Sequence, residues 1–145
     1  MKTLYKEKSQ FKKPEYRAEE ISAYAWAFNK RGEHQACLDW LHTFLSNTEN
    51  RENTMFFIAG LEYGDSQGQA HIQCYILFKR PYTRYFLHRQ FPGVAIEAMQ
   101  VAIEGPYRNY EYCTKQNLTT VKIGDIYIAQ EFWNYINQYH PQALS

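Results

Sequence analysis

Apolar and polar residues alternate most regularly over residues 70–78, Ala-His-Ile-Gln-Cys-Tyr-Ile-Leu-Phe. Alternate residues of a β-strand face opposite ways, so Ile72, Cys74, Ile76 and Phe78 point together into a core while His71, Gln73 and Tyr75 share the other face. The same period reads a strand over 54–62, with Phe57, Ala59 and Leu61 on one side, and another over 22–28, where small and aromatic residues alternate. Residues 94–101 and 121–128 read as two more strands. Helical spacing governs 33–47, where Cys37, Trp40, Leu41, Phe44 and Leu45 recur on one face. A short helix over 81–91 is stopped by Pro92-Gly93, Gly105-Pro106 opens another that runs to about residue 116, and 130–138 reads as the last. Asn29-Lys30-Arg31-Gly32 reads as a turn, 47–53 as a polar loop, and 63–69, with Gly64 and Gly68, as the loop of an antiparallel hairpin that brings Glu62 to His71.

The order β-α-β-β-α-β-α-β-α predicts an α+β domain built on one antiparallel sheet, with its helices largely on one face. A length of 145 residues suits a single domain. Residues 1–20 are polar and charged, contain Pro14 and show no period, so they read as a basic amino-terminal arm to a domain spanning 21–145. Internal repeats and low-complexity tracts are absent from the sequence.

Composition narrows the class. Hydrophobic residues at 45% and aromatics at 17% exclude disorder over most of the length. No apolar run reaches the ~18 residues of a membrane span, and the start Met-Lys-Thr-Leu-Tyr-Lys-Glu-Lys lacks the apolar core of a secretory signal, so a soluble intracellular protein is expected. Cys37, Cys74 and Cys113 are odd in number and lack metal-type pairing, which favours free thiols in a reducing compartment. The net charge is only +1, yet residues 66–96 hold no Asp or Glu while containing Lys79, Arg80, Arg84 and Arg89, and residues 2–17 carry six basic residues against two acidic. A local basic surface, suited to nucleic acid or simply solvated, is concealed by the neutral average.

Three groups carry candidate chemistry. Glu62, His71 and Gln73 offer a carboxylate oxygen, an imidazole nitrogen and an amide oxygen from neighbouring strands, a donor set for a hard or borderline divalent ion that leaves positions for water and a phosphate. A hydrogen-bonded surface pair is the plainer account of His71 and Gln73. Tyr112 and Lys115, three apart, share one side of the helix opened by Pro106, while Tyr107, Tyr110 and Thr114 share another and are expected to face the core. A tyrosine hydroxyl, with an ordinary pKa of about 10, is a poor nucleophile near neutrality. An adjacent ammonium and a metal on the target phosphate would make it a better one; packing beside a solvated lysine is the plainer account. Trp26-Ala27-Phe28-Asn29-Lys30 sets aromatics before an amide and a cation, a group able to stack on a base and bond its edge, or, for Trp26 and Phe28, to fill the core.

In this order and spacing the residues resemble the nuclease domain of the rolling-circle replication initiators (Rep proteins) of small circular single-stranded DNA viruses, within the HUH endonuclease superfamily. The first family motif, of the type Phe-Thr-Leu-Asn-Asn, is similar to Trp26-Ala27-Phe28-Asn29-Lys30, with Ala27 for the usual Thr and Lys30 for the second Asn. The second, an acidic residue followed by His-Leu-Gln, resembles Glu62 with His71-Ile72-Gln73; Gln73 stands where the superfamily name has a second histidine, as is usual in the circovirus-like branch. The third, Tyr-x-x-Lys within Asn-Lys-Glu-Tyr-Cys-Ser-Lys, looks like Asn109-Tyr110-Glu111-Tyr112-Cys113-Thr114-Lys115. The resemblance covers about residues 22–125.

What the resemblance implies is a site-specific, metal-dependent nickase and strand-transfer enzyme on a ferredoxin-like five-stranded antiparallel sheet with flanking helices. Tyr112 would attack a backbone phosphate of single-stranded DNA at a replication origin, within a stem-loop, stay joined to the 5′ phosphate and release a 3′ hydroxyl for a host DNA polymerase. Glu62, His71 and Gln73 would hold Mg²⁺ or Mn²⁺, and Lys115 would neutralise charge. Trp26, Asn29, Lys30, Lys79, Arg80 and Arg84 would contact DNA. No membrane partner is expected, and the compartment would be the host nucleus for a eukaryotic virus, the cytoplasm otherwise. The phosphate-binding Gly-x-x-x-x-Gly-Lys loop of the helicase that usually follows is absent from these 145 residues. A non-catalytic single-strand-binding module and a transposase or relaxase of the same superfamily are the rival expectations.

Overall fold

The computed structural model describes residues 21–62, 70–99, 105–115 and 120–139. The basic arm expected over 1–20, the hairpin loop 63–69 and the expected strand residues 100–101 lie outside that set. The elements in chain order are β1 (Ser22–Gly32), α1 (His34–Ser46), α2 (Thr48–Glu52), β2 (Thr54–Glu62), β3 (Ala70–Thr83), α3 (Arg84–Gln90), β4 (Ala95–Ala98), α4 (Pro106–Cys113), β5 (Thr120–Ile123) and α5 (Ile126–Tyr139). The five strands form one sheet in the order β4-β1-β3-β2-β5, antiparallel at every pairing. The α+β class, the five-stranded antiparallel sheet and the β2–β3 hairpin are therefore as the sequence predicts. The most regular strand of the pattern lies at the centre, where both of its edges are paired.

Strand alternation sorts the core onto two faces. Ile72, Cys74, Ile76 and Phe78 pack with Phe57, Ala59 and Leu61 of β2 under Cys37, Leu41 and Phe44 of α1 and Leu87 of α3. Tyr75 and Leu77 pack with Phe56 and Ile58 under Cys113 of α4 and Ala129, Trp133 and Ile136 of α5. Helices cover both faces, which corrects the expectation of helices largely on one. The cause is Tyr75 and Leu77, wholly buried on the face that the period of β3 assigns to His71 and Gln73; they need an apolar cover, and α5 supplies it.

Several boundaries also move. Asn29 to Gly32 is not a turn: it continues β1 and pairs with residues 70–73 of β3, because ladder hydrogen bonds to the long central strand outweigh the local turn preference of Asn and Gly. β3 runs five residues past Phe78, and α3 begins only where the side chain of Thr83 accepts a bond from the Phe86 amide at 3.1 Å. Part of the expected loop 47–53 is the one-turn α2, capped by the Asn47 side chain. The expected strand 121–128 ends at Ile123, since Gly124 takes a φ of +93° and Asp125 accepts from the amides of Tyr127 and Ile128 at 2.9 and 3.0 Å, starting α5 four residues earlier than expected.

Candidate active site

Register places the sequence-derived residues in rows across one face. Opposed residues of an antiparallel pair lie about 4.5–5.5 Å apart at Cα and share a face. One row is Arg31–His71–Glu62 from β1, β3 and β2; the next is Ala95–Asn29–Gln73–Gly60–Thr120; the third contains Glu97–Ala27–Tyr75–Ile58–Lys122. The helical cover lies over Tyr75 and Ile58 of the third row, and the first row sits at the end of the sheet away from that cover.

Glu62 is the hub. It is only 3% exposed, and its two oxygens are taken by two side chains: Oε1 is 3.0 Å from His71 Nε2 and Oε2 is 2.5 Å from Lys115 Nζ. A buried carboxylate without such partners would carry a large desolvation cost. His71 keeps its other nitrogen, Nδ1, buried and without a hydrogen-bond partner. Gln73 is two residues along the same face, half-buried, and lines a groove of about 420 Å³ shared with Ala27, Asn29, Arg84, Ala95 and Glu97. In that groove Asn29 Oδ1 is buried and unpartnered as well.

The nucleophile candidate arrives from α4. Gly105 and Pro106 start this helix; Asn109 bonds back to the Gly105 carbonyl at 3.0 Å, and Tyr107 N–H donates to Gln130 Oε1 of α5 at 3.1 Å. Pro106, Asn109 and Cys113 face inward, which leaves Tyr112 48% exposed on the outer surface. The helix stops at Cys113, where Thr114 caps it by donating its hydroxyl to the Tyr110 carbonyl at 2.7 Å. Lys115 thus lies just past the helix and not within it, as the expected boundary near 116 had it. Its ammonium sits 3.9 Å from the centroid of the Tyr112 ring and donates to the Tyr112 carbonyl at 3.3 Å, while reaching Glu62. One cation joins the tyrosine to the carboxylate. The approach of α4 to β2 depends on Gly60, where a Cβ would overlap the Cys113 carbonyl oxygen.

The remaining expectations divide. Tyr110 does not face the core: at 39% exposed it lines a separate surface hollow with Tyr107, Glu111, Lys122, Ile126 and Tyr127. What distinguishes Tyr112 from it is the Lys115 contact, not exposure. Trp26 is wholly buried, with its indole N–H donating to the Ala23 carbonyl at 2.9 Å, so it presents no face to a base. Lys30 pairs with Ile72 and shares that residue's side of the sheet, opposite to His71. Lys79 and Arg80 are exposed but lie eight and nine residues along β3 from His71, about 26–30 Å at the rise of an antiparallel strand. Arg84 lines the groove that Gln73 also lines, donates to the Ile96 carbonyl and sits over the Trp26 ring. Arg31, read from the sequence as a turn residue, is the cation β1 brings into register with His71; only the continuation of the strand past Phe28 reveals it.

All three cysteines are free, as expected, and all are buried. Burial pushes the Cys113 thiol from its ordinary value of 9.0 up to about 12, with Lys115 opposing and Glu62 reinforcing the shift. Cys74 is raised well above 9.0 by burial, reinforced by Cys113. Neither is a thiolate near neutrality, so neither is equipped as a nucleophile or soft-metal ligand.

Among the described residues no three His, Cys, Asp or Glu side chains gather to hold a metal ion. The set here has two of those types and an amide: the Glu62–His71 pair in contact, Gln73 on the same face, and an unpartnered imidazole nitrogen. That chemistry fits a hard divalent cation better than zinc, for which thiolates and additional imidazoles are usual. Compared with known proteins, the chain matches no protein-family model and no curated protein.

Proposed function

We propose that this chain is a metal-dependent nickase and strand-transfer nuclease for single-stranded DNA, with Tyr112 as the nucleophile. The observation that carries the reading is the single ammonium of Lys115, in contact with both the exposed ring of Tyr112 and the buried carboxylate of Glu62. The likeness of the three motifs to the viral initiators supports it, and the role at a replication origin follows from that likeness.

In this mechanism Tyr112 Oη attacks the phosphorus, the phenol proton passes to solvent, the bond to the 3′ oxygen breaks, and that oxygen takes a proton from solvent as it leaves. The product is a 5′-phosphotyrosine linkage and a free 3′ hydroxyl. The linkage keeps a phosphodiester's energy, so a second 3′ hydroxyl can reverse the attack and rejoin the strand. Lys115 offsets negative charge at the phenol oxygen and the transferring phosphate. Glu62, His71 and Gln73 would hold Mg²⁺ or Mn²⁺, which when bound polarises the phosphate oxygens. The groove of about 420 Å³ lined by Asn29, Gln73 and Arg84 adjoins the Glu62–His71 row and is where the single strand would lie.

The test uses labelled single-stranded oligonucleotides bearing a hairpin and Mn²⁺. A covalent protein–DNA adduct is expected from the wild type and not from Tyr112→Phe, and none from either in EDTA. Nicking that persists in Tyr112→Phe sinks the nucleophile, and undiminished nicking by metal-free protein in EDTA sinks the metal.

A further inference from the structure

The site row contains a cation that the motifs do not name. Arg31 is the last but one residue of β1, directly opposite His71 of β3, which is opposite Glu62 of β2. Residues in register share a face, and the side of His71 is fixed by its bond to Glu62. Arg31 is exposed, and among the described residues β4 pairs with β1 only from Trp26 to Asn29. Lys30, one residue earlier, points to the other side of the sheet with Ile72.

We infer that Arg31 is a phosphate-binding residue of the site, holding the backbone of the DNA strand over His71 from the side opposite Lys115. This deepens the proposed function and rests on its reading of the Glu62–His71 face. The charges argue for it. Glu62 is a buried anion at the end of the row, and a phosphodiester brought beside it meets repulsion. Lys115 is bound to that carboxylate on the β2 side. On the β1 side the row supplies Arg31, whose planar guanidinium can bond two non-bridging phosphate oxygens at once, a geometry an ammonium lacks. The groove at Asn29 and Gln73 is in the adjoining row, two residues from Arg31 along β1.

The experiment measures binding of a fluorescent single-stranded oligonucleotide to the full chain across a range of salt, alongside nicking in Mn²⁺, for wild type, Arg31→Gln, Arg31→Lys and Lys30→Gln. One lost phosphate contact lowers the slope of log affinity against log salt by about 0.7 on single-stranded DNA. Arg31→Gln is expected to lower the slope by that amount and slow nicking by about 100-fold, while Mn²⁺ affinity, read by electron paramagnetic resonance, stays unchanged. Arg31→Lys should restore the slope and only part of the rate. Lys30→Gln, on the opposite face, should leave both near wild type. An unchanged slope in Arg31→Gln overturns the assignment, as does an equal loss in Lys30→Gln, which would mean a general charge effect. If the wild type binds DNA but never cleaves it, the nickase reading fails, and the salt slope still decides Arg31.

Discussion

At the residue scale the site is an economy of few charges around one buried carboxylate. Glu62 has two partners, and one of them, Lys115, occupies an oxygen that a divalent cation would also want. Removing that ammonium therefore has opposite effects on two measurements. Lys115→Met is expected to bind Mn²⁺ several-fold more tightly, by calorimetry or paramagnetic resonance, while nicking slows, because the cation beside the phenol is lost. His71→Ala is expected to lose both Mn²⁺ binding and nicking and to keep most of its affinity for DNA. Equal Mn²⁺ affinity in Lys115→Met and wild type would mean that lysine and metal do not share the carboxylate. The types and spacing of Glu62, His71, Gln73, Tyr112 and Lys115 were legible in the sequence, since side-chain chemistry is local. Their surroundings were not: Trp26 is wholly buried, Tyr110 is exposed where spacing expects it to face the core, and Lys30 takes the side of the sheet opposite to His71.

At the element scale the decisive contact is between the end of α4 and β2. Gly60 lets the Cys113 carbonyl lie against the strand two residues before Glu62, and Lys115 follows two residues after Cys113. A methyl group there must push the helix away. Gly60→Ala is expected to cost about 1–3 kcal/mol of stability, as overpacking does, and to reduce nicking far more than partial unfolding explains. Denaturant titration beside adduct formation under folding conditions separates the two; nicking that falls only in proportion to folded fraction would show that α4 need not be seated so closely. Sequence periodicity places β2, α1 and the start of β3 closely because each has a long, unmixed apolar pattern. It misplaced the ends of β1, β3 and β5 because those are set by pairing partners and caps. The Gly124-Asp125 pair is a stop-and-start signal, masked in the pattern by the apolar run that follows it.

At the scale of the whole molecule, two helical covers on one sheet leave three thiols buried, and this gives the fold an alkaline limit. Folded Cys113 titrates at about 12 against an ordinary 9.0, and Cys74 is raised too, so above pH 9 the unfolded chain releases protons that the native one keeps. The unfolded state then binds fewer protons, and stability falls as pH rises from about 9 toward 12. Denaturant midpoints taken from pH 8 to 11 should decline, and decline less in Cys113→Ala; parallel curves would remove Cys113 as a cause. Among the described residues no helix is long and apolar enough to cross a membrane. The sequence by itself determined which residues alternate, and so the five strands and the chemistry available along the 70–78 pattern. Tertiary structure alone decided which faces are covered, that the ammonium beside Tyr112 also reaches Glu62, and that Arg31 and not Lys30 stands in register with His71. The physical reason is that a period of two assigns sides only relative to neighbours in the same strand; the absolute side, and what lies on it, is fixed by register between strands and by the helices that bury Tyr75 and Leu77.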